Sequence, residues 1–554
     1  MDRWTPKSLQ ALRAYSLESL RADLIAGVTV GLVALPLAMA FAISSGVSPQ
    51  AGIYCAIVTG FIISALGGSN FQIGGPTGAF VVVVAAIIAE HGIDGLFMAT
   101  MMAGVILVVL GATGLGTTVK FIPQPVVVGF TNGIAVVIAS TQLRDLFGLR
   151  MSSVPSEFIT KMEALTAAAH TWSPLATALG VGSLAFLVVW RRLGVRLPGY
   201  IVVLFGATAV TALAGLPVDT VGSRFGGISG ALPHIVLPQW RPDLILTLLS
   251  PALTIAMLGA VESLMSAVVA DRLGGDRHNP NVELVAQGLA NIASPLVGGL
   301  PATGALARTA TNIRSGARTP VSGIVHAVTL LAVLLVAAPL ASYVPLAALA
   351  GILLMVAYQM GEWAEIPHLL RLPKADIAVW IVTFGLTVFA DLTVAVEAGM
   401  ILAMLMFIRK VSSTTSVTAA SVTDADEGAL HVLHDKHVPD YVSVYRVYGP
   451  LLFGATDGLQ VITDHVHRLP SIVILKLRHV TAIDATGLRA LEDLAGRLRR
   501  SGRDLIVCGA QTQPATLLQS AEFHAHVGAS NICANTSQAL ARAAELHATA
   551  RSVA

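Results

Sequence analysis

Two short stretches carry residue types whose spacing invites chemistry. Gly74-Gly75-Pro76-Thr77-Gly78-Ala79-Phe80 has a counterpart in Gly298-Gly299-Leu300-Pro301-Ala302-Thr303-Gly304-Ala305-Leu306. Each breaks an apolar run with Gly and Pro and then restarts it with Thr-Gly-Ala. At membrane depth such a break survives only where it is buried or lines a cavity, because lipid offers no partner to a free backbone group. The short helices expected to begin near Thr77 and near Thr303 present about half a positive charge each at their amino ends. Facing one another, they would attract an anion.

Two ionisable residues stand out because they lie within apolar segments. Arg308 follows the second break inside an apolar segment, where a charge costs at least ~2.5 kcal/mol on insertion scales. With the two helix ends it would make a site of about +2, suited to a divalent oxyanion, a dicarboxylate or a monovalent anion. The competing readings are that Arg308 snorkels to a surface or pairs with Glu262. Glu262 is an acid in Leu258-Gly259-Ala260-Val261-Glu262-Ser263, and it is a candidate proton carrier or one half of a fixed ion pair. His326, Asp391 and Glu397 are weaker candidates, set away from either break in sequence. Pro36 interrupts the hydrogen bonding of the first apolar run and predicts a kink there.

The elements that must position these residues follow from composition. The chain has 554 residues, 55% hydrophobic and only 12% charged, with a mean hydropathy of +0.75. Soluble domains carry about 25% charge, so most of this chain must face lipid. Apolar runs recur near 24–43, 50–67, 76–90, 96–115, 121–141, 173–190, 198–215, 246–270, 283–298, 303–317, 320–340, 344–358, 374–390 and 392–409. That predicts fourteen spans, and Arg3, Lys7, Arg13 and Arg21 ahead of the first place both termini in the cytoplasm. The two breaks occupy the third segment of each half. With seven segments per half, the repeats enter the membrane in opposite orientations, which is the inverted-repeat plan of secondary transporters.

Three cysteines in unrelated contexts imply neither a disulfide framework nor a metal site. A net charge of +2 leaves no basic surface for nucleic acid. No nucleophile–base pair or metal cluster stands at membrane depth, so an enzyme is not expected, nor a cofactor beyond a coupling ion. After Arg409 and Lys410 the character changes. The alternation over 441–447, short buried runs at 471–477 and 504–508, and leucines at 488, 491, 494 and 498 predict a small soluble α/β domain. The expected division is a cytoplasmic segment 1–22, a membrane domain 23–411 with repeats at about 23–215 and 246–410, a linker 412–435 and a soluble domain 436–550.

These residues resemble the sulfate permease (SulP) family of anion transporters, most nearly the bacterial branch that includes the DauA dicarboxylate carrier. The motifs are Asp23-Leu24-Ile25-Ala26-Gly27-Val28-Thr29-Val30-Gly31 with Pro36, the Gly-Gly-Pro-Thr-Gly-Ala break, Asn281-x-Glu283-Leu284-x-x-Gln287-Gly288-x-x-Asn291, and Arg308. The resemblance implies a 7+7 inverted repeat with core and gate domains, a homodimer, and the cell inner membrane. It also implies a substrate site formed by Thr77, Gly78, Ala79, Phe80, Thr303, Gly304, Ala305, Leu306 and Arg308. The tail is similar to a STAS domain, in which Ala482-Ile483-Asp484-Ala485-Thr486-Gly487-Leu488 stands where antagonist relatives carry an Asp-Ser-Ser-Gly turn. Their phosphate acceptor is the first of those serines, and this chain has Ala485. The function expected is secondary active transport of a sulfate-type oxyanion or C4-dicarboxylate by alternating access, with proton symport favoured and Glu262 as the coupling residue. Open alternatives are an uncoupled or sodium-coupled exchanger or channel for chloride, bicarbonate or sulfate, and a membrane sensor or scaffold whose tail recruits a cytoplasmic partner.

Overall fold

The computed structural model describes residues 4–13, 15–116, 123–151, 154–155, 157–193, 198–233, 235, 241–390, 392–419, 438–453, 458–459, 462 and 466–553. It divides into two compact units, Met1–Ile401 and Leu402–Ala554.

In the first unit each of the fourteen apolar segments coincides with helix. Among the described residues eight helices are long and apolar enough to cross a membrane, including Leu17–Ser44, Gln124–Phe147, Leu249–Gly274 and Val321–Ala341. The stretch Gly78–Ala112 is one of the eight and contains both the third and fourth segments, folded back at Gly92, which has φ of +71° and breaks the helix. The others include the shorter helices Gly199–Ala214, Pro280–Ala293, Leu306–Arg314 and Lys374–Phe389, and the helix Leu392–Thr414. Pro36 sits inside Leu17–Ser44 without ending it, because a neighbouring bundle can absorb one lost hydrogen bond.

The packing repeats with the sequence. The fourth segment packs on the ninth, and its counterpart seven segments on, the eleventh, packs on the second. The first packs on the eleventh as the eighth packs on the fourth. The fifth packs on the thirteenth as the twelfth packs on the sixth. Segments one to four with eight to eleven thus form one group, and five to seven with twelve to fourteen the other. This is the expected inverted repeat. The first group is welded at close range. A Cβ on Gly104 would stand 2.7 Å from the Gly288 carbonyl oxygen, and one on Gly288 would stand 2.5 Å from that of Gly104, so only glycine permits these two backbones to touch.

The motif around Glu283 proves to be the splint of the second break. Glu283 is fully buried and accepts hydrogen bonds from the Gly68 N–H and the Gln287 side chain, both at 2.9 Å. Two turns further along the same helix, Asn291 grips Ala302 twice, accepting from its N–H at 2.9 Å and donating to its carbonyl at 2.8 Å. Asp23 does comparable work at the edge, accepting from the Arg318 and Thr319 N–H groups at 2.7 and 3.0 Å.

The second unit holds a five-stranded sheet in the order Ser416–Ala419, Val442–Tyr448, Ile472–His479, Asp504–Cys508 and Ile532–Cys533. The first pair is antiparallel and the others parallel. Helices Ala485–Arg500, Thr512–Ser520 and Thr536–Val553 accompany it. Ser416–Ala419 was expected within a linker; it is instead the edge strand of this sheet, its short polar sequence being held by pairing rather than by burial. Most of the remaining expected linker lies outside the described residues, as does Asp391, and the Glu397 side chain is likewise not described. Asp484 opens Ala485–Arg500 by accepting from the Gly487 N–H at 2.8 Å, and its second oxygen accepts from the Phe453 N–H at 2.8 Å. Ala485 and Thr486 are exposed at this turn.

Candidate functional site

The two Gly/Pro breaks meet. Gly74–Gly75 and Thr303–Gly304 form a two-stranded antiparallel ladder in which Gly74 faces Gly304 and Gly75 faces Thr303. The Ala305 N–H extends it by donating to the Ile73 carbonyl at 2.8 Å. Backbone groups that lipid would leave unpaired are thereby satisfied by one another. From this crossing two helices leave, one starting at Gly78 and the other at Leu306. Neither has a side chain capping its first N–H groups.

The eighth helix, Leu249–Gly274, is the platform beneath the crossing. Gly259, Glu262, Ser263 and Ser266 recur at intervals of three and four, which places them on one stripe of that helix. The Gly259 carbonyl accepts from Thr303 Oγ1 at 2.9 Å. Glu262 Oε2 accepts from Thr77 Oγ1 at 2.9 Å. Ser263 receives the Gln72 amide on both its hydroxyl and its carbonyl, at 2.9 and 3.1 Å. Ser266 Oγ lies 3.3 Å from Thr309 Oγ1. One helix face therefore holds both breaks. The Ser263 and Ser266 contributions were missed in the sequence, although a polar stripe at helical spacing in an apolar span was there to be read.

Arg308 is 2% exposed and does not snorkel. Its guanidinium reaches across the crossing and donates to the Pro76 carbonyl. It lies against Gly75, whose φ of +149° and lack of a Cβ leave the space it occupies. One of its terminal nitrogens, Nη1, is buried with no hydrogen-bond partner. Glu262 and Arg308 are not among the direct ion pairs of the described residues. They are joined through the Pro76-Thr77 dipeptide, which accepts from one and donates to the other.

A cavity of about 170 Å³ opens beside this arrangement. Ala79, Leu306 and Glu262 line it, with Phe130, Thr131 and Ile134 of the fifth helix, Met257 of the eighth, and Gln359, Met360 and Glu362 at the end of the twelfth. At about 30 Å³ per water, it has room for roughly five waters, or an oxyanion with part of its hydration. Of the expected site residues, Ala79 and Leu306 line the cavity, while Thr77, Gly78, Phe80, Thr303, Gly304, Ala305 and Arg308 build the layer behind them. Gly78 has a second duty. A Cβ there would meet Met360 Sδ at 2.8 Å, Ile138 Cδ1 at 3.0 Å and Phe41 Cε1 at 3.2 Å, so three apolar side chains close on it and seal the cavity on that side.

His326 is nearer the breaks than its place in the sequence suggests. A Cβ on Gly60 would stand 3.2 Å from the His326 ring and 3.4 Å from the Gly74 carbonyl oxygen, so ring and break flank the same glycine. The inverted repeat folds the eleventh helix back beside the second, which linear distance does not reveal. His326 is fully buried, and neither ring nitrogen has a hydrogen-bond partner. Among the described residues no group of three His, Cys, Asp or Glu is placed to hold a metal ion.

Comparison with known proteins gives concordant results. The sulfate permease family model matches residues 20–383, and the STAS domain model matches residues 434–539. A putative sulfate transporter of Bacillus subtilis (strain 168), YvdB, is 42% identical over 519 residues, covering 93% of this chain and 96% of its own. The bicarbonate transporter BicA of Synechocystis sp. (strain ATCC 27184 / PCC 6803 / Kazusa) is 32% identical, covering 96% of each chain. The solved transmembrane domain of a cyanobacterium bicarbonate transporter BicA superposes with a TM-score of 0.62 at 33% identity, covering 69% of this chain and 98% of its own. The structure of SLC26A9 matches with a TM-score of 0.86 at 18% identity over 97% of this chain and 93% of its own, a likeness of fold.

Proposed function

Because the chain belongs to the sulfate permease family and carries a C-terminal STAS domain, we propose that it is a secondary transporter that carries a small oxyanion by alternating access. The observation that carries this reading is the crossing itself. Two uncapped helix starts converge on one point, with Arg308 behind them, and their unpaired N–H groups need an acceptor that no side chain supplies. An oxyanion offers several acceptors at once. Arg308 acts on the anion at one remove, through the field it adds and through its hold on the Pro76 carbonyl, which fixes the first helix start in place.

The motion follows from the packing. The welded group that holds both breaks moves as one body against the group holding the fifth and twelfth helices. The contact of Phe41, Ile138 and Met360 over Gly78 is the barrier that must part when the opposite face opens. With the amino terminus in the cytoplasm, the Glu262 cavity opens inward. Glu262 couples transport to the proton: Thr77 donates to one of its carboxyl oxygens in this conformation, and a rearrangement that withdraws Thr77 would remove a hydrogen bond that favours the charged form. Sulfate and bicarbonate are favoured over a C4-dicarboxylate because the relatives cited above are named for those anions. The protein works as a homodimer in the bacterial inner membrane.

The test is uptake into proteoliposomes of labelled sulfate, bicarbonate, chloride and succinate, under imposed pH or sodium gradients. Saturable sulfate or bicarbonate uptake that follows an inward proton gradient is expected. Uptake driven by sodium alone overturns the proton assignment, and uptake of none of the anions overturns the transport reading.

A further inference from the structure

A second polar cavity, of about 460 Å³, lies at the other end of the fifth helix. That helix contributes Phe130, Thr131 and Ile134 to the Glu262 cavity, and Thr141, Arg144 and Asp145 to this one. Thr131 and Arg144 are separated by about 20 Å of helix rise. The third helix is likewise shared. Ala79 faces the first cavity, whereas Val81, Val82 and Ala85 form part of the wall of the second. The seal over Gly78 stands between them.

The charges around this cavity do not balance. Arg224 is held by two acids, Asp145 at 2.6 Å and Asp219 at 2.7 Å. Arg144 stands 4.0 Å from Asp145, spends one terminal nitrogen on the Met151 carbonyl at 3.0 Å, and leaves its Nε buried with no hydrogen bond. Lys161 is the exceptional member. It comes from the helix Phe158–Ala167, lines the cavity, and is only 2% exposed. Among the described residues its ammonium has no hydrogen bond or ion pair. Three cations and two acids leave one positive charge over, and that charge is buried. A lone ammonium out of water is costly unless something pairs with it. Burial alone pushes its pKa down to about 8, which still leaves it charged at neutral pH.

We infer that this cavity is a separate anion-binding site, in which Lys161 and Arg144 hold a small oxyanion on the far side of the Gly78 seal from the Glu262 cavity. The ligand class follows from the donors. An ammonium and a guanidinium edge can pair with an oxyanion through several charge-assisted hydrogen bonds. The inference rests on the transport reading only for its purpose, which is to load the carrier from this face. Binding itself does not require transport.

Two measurements on the full chain separate the possibilities. In detergent, Lys161 is acylated with a small amine-reactive ester and followed by peptide mass spectrometry, with Lys7 and Lys374 as internal references. Sodium sulfate, and separately sodium bicarbonate, is titrated against gluconate at constant ionic strength. Saturable protection of Lys161, with the reference lysines unaffected, is expected. A Lys161 that never reacts, that reacts equally with and without the anions, or that is slowed only in step with Lys7, overturns the site. In cells, Lys161→Gln is expected to raise KM about tenfold for transport that starts from this face and, as detailed balance requires, to lower Vmax/KM for the opposite direction by the same factor through its maximal rate, while Lys161→Arg stays near wild type. Equal KM changes in both directions, or none, overturn the loading role. Protection without any transport would retain the site and reject the transporter reading.

Discussion

The seal over Gly78 makes a prediction whose size can be worked from distances. Gly78→Ala places a methyl group 2.8 Å from Met360 Sδ and 3.0 Å from Ile138 Cδ1. Both are ends of flexible side chains, so the seal would yield rather than the backbone. Overpacking of this kind costs about 1–3 kcal/mol. The cost falls on the conformation in which the seal is closed and is relieved when the two helical groups separate. A bias of that size shifts a two-state population roughly 5- to 150-fold. The readout is the rate at which a cysteine at Thr131, inside the Glu262 cavity, reacts with a thiol reagent, in a background lacking Cys55, Cys508 and Cys533. With the two states about equally populated in the parent, the rate in Gly78→Ala should fall about 3- to 75-fold. Adding Met360→Ala removes the clashing sulfur and should restore it. If Gly78→Ala reacts like its parent, the contact is no barrier to the motion. If the double variant is as slow as the single, the loss has another cause than the clash.

Glu262→Gln keeps an oxygen for the Thr77 hydroxyl but fixes the charge at zero. Uptake driven by a proton gradient should collapse, while counterflow of labelled against unlabelled anion survives; loss of both would assign Glu262 to binding. Arg308→Ala withdraws the donor to Pro76 and a full buried charge, and anion affinity in the purified protein should fall at least about tenfold; unchanged affinity removes Arg308 from the site. Because Lys161 titrates near pH 8, sulfate protection at that lysine should be complete at pH 7 and fade through pH 8 to 9 as the amine loses its proton beside Arg144, Arg224 and Asp145; flat protection to pH 10 would show that Arg144 alone holds the anion. Asp484→Ala uncaps Ala485–Arg500 and frees the Phe453 N–H, and should cost the second unit about 1–2 kcal/mol, read by hydrogen exchange in the full chain.

The breaks were legible because a Gly/Pro interruption frees backbone groups that lipid cannot satisfy, and because the same Thr-Gly-Ala follows it at matching positions. From the odd number of segments per half, the inverted orientation of the halves followed. Glu262 and Arg308 stood out for a similar reason, as charges where charges are expensive. What was not legible is what those charges touch. The sequence offered Arg308 an anion, a surface or Glu262, and its hydrogen bond goes to the Pro76 carbonyl, because only in three dimensions does the second break lie across the first. The cavity wall from the fifth and twelfth helices was also hidden. Phe130, Ile134, Met257 and Met360 read the same whether they meet lipid, another helix or a substrate path. Lys161 drew no notice because it lies between spans, where a lysine is ordinarily solvated. His326 was discounted on linear distance, which an inverted repeat makes a poor guide.

The ladder between Gly74–Gly75 and Thr303–Gly304 joins residues about 230 positions apart. On a ribosome adding roughly 5–20 residues per second, the second strand emerges on the order of 10–50 s after the first. Throughout that interval the first break sits in the bilayer with its backbone polar groups unanswered. The nascent first half is therefore an insertion intermediate that needs either water, an early neighbour or the insertion machinery to shelter it. A chain cut short before Thr303 would keep that defect permanently, and the cell's membrane proteases should recognise it at the first break rather than at its ragged end.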